Sequence, residues 1–531
     1  MKVVTARSGD LNSKINSHRE NQNSSVRNGA SKKVVALAIA TITAVVLTSC
    51  SLIPGANKSF ETIEQYQSQS LKWGKCYETF TCAYLKVPID YTNLELGTFK
   101  IALIKYKATK PEEKLGSIVV NPGGPGASGV DYAYNAEYIF SESVLEKYDL
   151  VGFDPRGISR SEAIMCLNDK ETDASFAADG KPDSPAEFTA QIKASKEYAQ
   201  KCMENTKYVT HYSTADSARD MDLLRAALGD SKLNFLGKSY GTYLGTLYAQ
   251  FFPDKVGRMV LDGALNPNIT IKEQNLTQTI GFERALDAFI QDCTTRKDCP
   301  LPKKLADARA SFTTLFESAA KSPLTSQGDR VATESIVVLG TAYALYDNET
   351  GWPVLRAALR QAKNQEGTAF LELVDEYSAR GSDGKYANNE TDAELVIDCL
   401  DWHDSRSLAQ MQVDAKEFSK QAPVFGPYFS YNSLACRYFE PAAKDTNTRT
   451  TNKITSIDTA PILIIGTTRD PATPYAWAKS LRKTIKHSKL ISLDADGHTG
   501  HGRGSACVDD AVNAYYLTGA LPAKDLKCTL A

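Results

Sequence analysis

The stretch that most constrains this chain is residues 233–245, where Leu233-Asn234-Phe235-Leu236 runs into Gly237-Lys238-Ser239-Tyr240-Gly241 and on into Thr242-Tyr243-Leu244-Gly245. It reads as a short apolar strand, a sharp turn and the first turns of a helix. A serine at such a corner is forced into strained backbone angles that lift its hydroxyl clear of the sheet. The flanking glycines lack the Cβ atoms that would clash there. The stretch is therefore a nucleophile elbow with Ser239 as the candidate nucleophile. The competing reading, a surface turn with an incidental serine, weakens as partners for Ser239 are found elsewhere in the chain.

Before the elbow, residues 83–91 and 98–107 alternate apolar and polar side chains and read as a pair of antiparallel strands. Residues 117–120 and 148–153 are continuous apolar runs, the pattern of strands buried on both faces. The first ends in Asn121-Pro122-Gly123-Gly124-Pro125-Gly126. Glycines let a main chain approach a reacting oxygen closely, so Gly124 (or Gly123) and the amide of Tyr240 are candidate oxyanion donors. A phosphate-binding loop is the rival for any glycine-rich turn, but no Gly-Lys-Ser/Thr closes this one. The second run ends in Asp154-Pro155-Arg156-Gly157, where Asp154 and Arg156 are expected to pair and brace the loops around the elbow. Residues 165–210 read as a polar helical excursion, and 213–228 as an amphipathic helix feeding the elbow strand.

After the strand at 258–263 the alternation of strand and helix stops. Residues 266–458 offer only helical stretches (281–294, 305–321, 354–363, 393–402) and are read as a helical lid inserted between two sheet strands. The sheet resumes at 461–466, followed by Asp470 just beyond a carboxyl end, the edge where open α/β sheets place their working groups. A helix at 474–485 and a strand at 488–493 lead to Gly497-His498-Thr499-Gly500-His501. His498 is the candidate base because the preceding glycine permits a turn back over the elbow, and His501 is the second choice. His403 falls in the lid and His18 in the leader. Asp262, at the end of the 258–263 strand, is the runner-up to Asp470 as the acid.

Composition bounds the rest. A chain of 531 residues that is 42% hydrophobic holds a large core, and a net charge of -2 without a basic block excludes a nucleic-acid footprint. Near the N-terminus, Lys32-Lys33 precede an uncharged run at 34–47, shorter than the ~20 residues that span a bilayer. Leu47-Thr48-Ser49-Cys50 then resembles a bacterial lipobox, with cleavage before Cys50 and lipid on that residue; an ordinary cleaved signal or a short anchor are the alternatives. Setting Cys50 aside leaves ten of the eleven cysteines, an even number in an exported chain. Sequence proximity suggests Cys76 with Cys82, Cys166 with Cys202, Cys293 with Cys299, Cys399 with Cys436, and Cys507 with Cys528. Zinc is the competing use, but no CxxC pair or Cys/His cluster has the spacing.

Ser239, Asp470 and His498 follow the chain order of α/β-hydrolases. With Asn121-Pro-Gly-Gly-Pro-Gly126, Asp154-Pro-Arg-Gly157, Gly237-Lys-Ser-Tyr-Gly241, Asp470-Pro-Ala-Thr-Pro474 and Asp496-Gly-His498, the chain resembles the secreted tripeptidyl aminopeptidases of actinobacteria, in the prolyl aminopeptidase family. The likeness runs from about residue 73 to the C-terminus, including that family's TAP-like segment. It implies an α/β-hydrolase: a mostly parallel, doubly wound sheet with a large helical lid between late strands. The expected layout is a signal peptide at 1–49, a tether at 50–72, core at 73–265, lid at 266–458 and core again at 459–531. The resemblance also implies release of short peptides from free N-termini, and chemistry by serine, histidine and aspartate requires no metal or organic cofactor. Lid carboxylates would read the substrate ammonium, and Glu394, Asp398, Asp401 and Asp404 are nominated. The expected partners are a peptide substrate and, through the lipid, a membrane. One departure stands out: the family usually has glycine where this chain has Ser159. An exported lipase or carboxylesterase with the same triad is the alternative function, and a lipid-anchored binding protein that has lost activity is the rival from another class.

Overall fold

A computed structural model describes residues 60–439 and 454–530; the predicted leader, the lipidation candidate Cys50 and the early tether lie outside them. Among the described residues ten strands form one sheet in the order β1-β2-β3-β5-β4-β6-β7-β8-β9-β10. They are β1 (Gly74–Lys75), β2 (Phe80–Asp90), β3 (Asn93–Tyr106), β4 (Gly116–Asn121), β5 (Tyr148–Phe153), β6 (Leu233–Lys238), β7 (Val256–Asp262), β8 (Ile462–Arg469), β9 (Ser488–Asp496) and β10 (Leu526–Thr529). β1, β2 and β3 pair antiparallel and β3 joins β5 antiparallel; every pairing from β5 to β10 is parallel.

The central strands feed two separate cores by simple alternation. Val119, Phe235, Met259, Leu261, Ile462 and Ile464 face one cluster, closed by the helices Thr214–Leu228, Tyr240–Phe251 and Tyr475–Thr484. Ile118, Val120, Leu236, Val260, Leu463 and Ile465 face the other, closed by Gly129–Ala133 and Ala506–Thr518. Strands buried on both sides have no polar face to show, which is why they read as unbroken apolar runs.

Between β7 and β8 the described chain is helical. Helices from Ile271–Thr295 to Gly426–Phe429 build a third cluster of their own around Leu286, Phe289, Phe312, Phe316 and Phe370. The helix Glu390–Asp401 packs elsewhere, burying Ala393, Val396, Ile397 and Leu400 in the sheet's cluster. Its end is tied by the Cys399–Cys436 disulfide. The other four bonds join Cys76 to Cys82, Cys166 to Cys202, Cys293 to Cys299 and Cys507 to Cys528, so all ten described cysteines are paired. Among the described residues no helix is long and apolar enough to cross a membrane.

Two expectations need correction. The tether was extended to residue 72, but Ile63–Gln67 is a helix, capped by Thr62, with Tyr66 fully buried against the core. Asp154 and Arg156 do not pair. Arg156, fully buried, spends all five donors elsewhere: Nε and Nη2 on Asp220 at 2.8 and 2.7 Å, the rest on the carbonyls of Ile89, His211 and Pro88. Asp154 instead accepts from Ser128 and Val130 and meets Arg160. Both residues still brace the loops around the elbow.

Candidate active site

Ser239 joins β6 to the helix Tyr240–Phe251 with φ 52° and ψ -124°, outside the regions a serine ordinarily occupies. The turn closes because its glycines carry no side chain: a Cβ on Gly237 would lie 2.3 Å from the Gly241 carbonyl oxygen. The strained residue is pinned from both sides. Its N–H donates to the Asp262 carbonyl at 2.8 Å, and its own carbonyl accepts from the Thr242 amide and hydroxyl at 2.9 and 2.6 Å.

Asp470, just past β8, is buried with each carboxylate oxygen 2.9 Å from His498 Nδ1. The amides of Ala472, Thr473 and Thr499 and the Thr473 hydroxyl also donate to it, so its orientation is fixed. His498, just past β9, donates its backbone N–H to the Tyr346 carbonyl at 2.8 Å, and the Tyr346 ring meets the imidazole at right angles, 5.5 Å between centroids. The imidazole lies beside the elbow: a Cβ on Gly263, the residue after the Ser239 acceptor Asp262, would stand 3.4 Å from His498 Cε1. The carboxyl ends of β6, β8 and β9 thus bring the three expected residues to one rim of the sheet.

The runners-up are otherwise engaged. Asp262 accepts the backbone N–H groups of Gly500 and His501 at 2.8 and 3.0 Å and makes no hydrogen bond to the imidazole of His498. His501 is buried against Phe140, and burial, helped by the Lys238 charge, pushes its pKa down to about 3.

Comparison with known proteins fits this arrangement. The α/β hydrolase fold family matches residues 116–504. Among curated relatives, serine protease Hip1 of Mycobacterium tuberculosis is 32% identical over 507 residues, 91% of this chain and 95% of its own. Tripeptidyl aminopeptidase of Streptomyces lividans is 31% identical over 457 residues, 84% of this chain and 83% of its own. Carboxylesterase B of Mycobacterium tuberculosis is 34% identical over 470 residues, 86% of this chain and 89% of its own.

The chain belongs to the α/β hydrolase fold family.

In this α/β hydrolase a cavity of about 480 Å³ opens above the elbow, lined by Gly124, Ser239, Tyr240, Tyr377, Glu394 and Asp398 among others. The Gly123 N–H is already taken by Asn121 Oδ1 at 3.1 Å, which leaves Gly124 as the loop glycine that faces the cavity. Tyr240 opens its helix, where the first amides have no partner inside the helix. Of the four nominated carboxylates, Glu394 and Asp398 line the cavity and two do not. Asp401 is fastened to the core, accepting from the Thr214 amide at 3.0 Å and from its hydroxyl, which in turn meets the Tyr240 hydroxyl. Asp404 is held by Arg406 and Ser433. The third acid of the lining, Asp392, accepts from two backbone amides and the Tyr198 hydroxyl.

No lysine or arginine lines this cavity among the described residues. Burial therefore dominates the titration of its acids. It raises Glu394 to about 7 against a hydrogen bond from the Tyr377 hydroxyl at 3.2 Å, and raises Asp398 well above the carboxylate range with help from Glu394 and Asp401. Glu390, one turn before Glu394, is raised to about 7 by burial and by the Glu394 charge. Sequence reading did not single out Glu390, Tyr377 or Tyr346. The spacing of Glu390, Glu394, Asp398 and Asp401 at 4, 4 and 3 residues marks one helix face and was the available signal. Ser159 adopts φ 47°, the left-handed region that favours the glycine usual there, at a cost of about 1–2 kcal/mol. Asn389 of the insertion steadies it, accepting the Ser159 N–H at 2.8 Å and donating to the carbonyls of Gly157 and Ile164.

Proposed function

We propose that this chain is an exported serine aminopeptidase that releases short peptides, tripeptides in the first instance, from free N-termini. The observation that carries the reading is a cavity over Ser239 whose charged lining is entirely acidic, with Glu394 and Asp398 unneutralised by any lysine or arginine. A substrate ammonium is the group such a cavity would hold, because it supplies the missing counter-charge in a poorly solvated place. Relatives named as a serine protease and a tripeptidyl aminopeptidase support it.

In the proposed reaction Ser239 attacks the scissile carbonyl while His498 takes its proton, and Asp470 fixes the ring tautomer and stabilises the imidazolium. The amides of Gly124 and Tyr240 receive the oxyanion, each such donor typically contributing about 100- to 1,000-fold in rate. The imidazolium then protonates the leaving amine, and water repeats the sequence on the acyl-enzyme. The helical insertion acts as the lid whose carboxylates set how far the peptide N-terminus lies from the scissile bond. Cys50 carries the lipid that holds the enzyme at the outer face of the membrane; the five disulfides are in keeping with export.

The relative named as a carboxylesterase favours a second reading, ester hydrolysis by the same three residues. Purified protein and its Ser239→Ala variant, assayed on free and N-acetylated tripeptide amides and on short acyl esters, separate the two. Turnover of free-amine peptides alone, lost in Ser239→Ala, is the expected result; preference for the esters would sink the peptidase reading.

A further inference from the structure

Lys238 precedes the nucleophile in the chain, yet its side chain turns away from the cavity into the core beneath the elbow. Its Nζ donates to the His501 carbonyl at 2.7 Å and stands 3.7 Å from Asp262 Oδ2. Asp262 is fully buried, receives the Gly500 and His501 amides, and offers its carbonyl to the Ser239 amide. One partner of this pair is thus peptide-bonded to the nucleophile and the other hydrogen-bonded to it. Together they hold the loop that carries His498 through three hydrogen bonds. An ion pair so buried adds little net stability once desolvation is counted, so stability alone does not account for it.

We propose that Lys238 and Asp262 are positioning residues that hold the His498 loop in register with Ser239 and cancel each other's field at the imidazole. The inference rests on His498 as the general base. The other groups around the pair are Tyr132, Asp509 and Arg503, which face Lys238. Those around His498 and its loop are Asp470, Tyr346 and Arg503, which donates to the carbonyls of Asp496 and Thr499. His501 stays neutral in the working range. Asp262 holds the amides two and three residues beyond His498 and Lys238 stands beside it, so removing either leaves the other's charge unbalanced near the imidazole.

The test is the rate at which diisopropyl fluorophosphate labels Ser239 as a function of pH. In that step the serine oxygen bonds to phosphorus, fluoride leaves and the serine proton passes to His498. The reagent has no amine, so the lid carboxylates have no substrate charge to bind. Lys238→Met is expected to move the midpoint of the acidic limb up by about one pH unit, and Asp262→Asn to move it down by about as much. The double variant should return near the wild-type midpoint. Lys238→Arg, which keeps the charge, should lower the plateau rate and leave the midpoint in place. Single variants that are folded and labelled but share the wild-type midpoint, or shift the same way, overturn the inference. If a single variant does not fold, a Lys238→Arg midpoint displaced from wild type, or a double variant displaced likewise, overturns it. Wild-type protein that is not labelled at Ser239 overturns the triad reading itself, and this inference with it.

Discussion

Glu394 and Asp398 stand one helical turn apart and project into the cavity that covers Ser239. If they hold the substrate ammonium, Asp398→Asn should cost about 10- to 100-fold in kcat/KM on a free-amine tripeptide amide, the worth of a charged hydrogen bond. The same variant should change ester hydrolysis less than threefold. Their titration has a second consequence. Glu390 and Glu394 have folded pKa values of about 7 against an ordinary value of 4.5, so the folded chain binds their protons more tightly than the unfolded one. The stability these two groups contribute is therefore greatest below about 4.5 and is lost as pH rises through 7. Urea denaturation at pH 5 and pH 8 should show Glu394→Gln gaining on wild type by about 2 kcal/mol at the higher pH. Activity runs the other way: kcat/KM for the amine substrate should rise through pH 7 more steeply than for an ester, as the carboxylates ionise. At this scale the gathering of Ser239, Asp470 and His498 at one rim was legible because turn chemistry and chain order point to it. Asp262 and Asp401 were harder to place, since a carboxylate that accepts backbone amides looks the same in sequence as one that waits for a ligand.

The elements show where pattern reading works. β5 and the helix Leu305–Lys321 have the bounds their apolar spacing predicts. The helix expected at 281–294 begins ten residues earlier at Ile271, although Thr270 and Glu273 form a capping box that could have marked its start. Glu334–Ala344 was not anticipated because it is apolar nearly all round, and a helix packed on every side shows no period. β10 was missed because it is short and only its Cys528 is buried. The helix Glu390–Asp401 belongs by sequence to the insertion and by packing to the sheet, and Cys399–Cys436 closes a 37-residue separation at its end. Replacing both cysteines by alanine should cost about 3–4 kcal/mol in stability and raise KM more than it lowers kcat, because the carboxylates lose their fixed position. Equilibrium unfolding and steady-state kinetics check the two parts.

The described residues hold two cores about one sheet and a third inside the insertion. Phe312, fully buried in the third, packs on Phe289 and Phe316 of the same cluster. Phe312→Ala should cost about 3–5 kcal/mol and speed hydrogen exchange in the insertion while β4 to β9 keep their protection. Uniform loss of protection would mean that the clusters melt as one. The α/β architecture was readable from alternating strand and helix, and the insertion from the place where alternation fails.

Ser239 and His498 are separated by 259 positions, with the entire helical insertion and three strands, β7, β8 and β9, between them. A ribosome making this protein finishes the elbow long before the imidazole emerges. The edge strand that follows, β10, is bolted to the preceding helix by Cys507–Cys528, a bond that forms only under oxidising conditions. The three gathered side chains are thus complete only near the end of synthesis, and the bond that fixes β10 waits for an oxidising compartment.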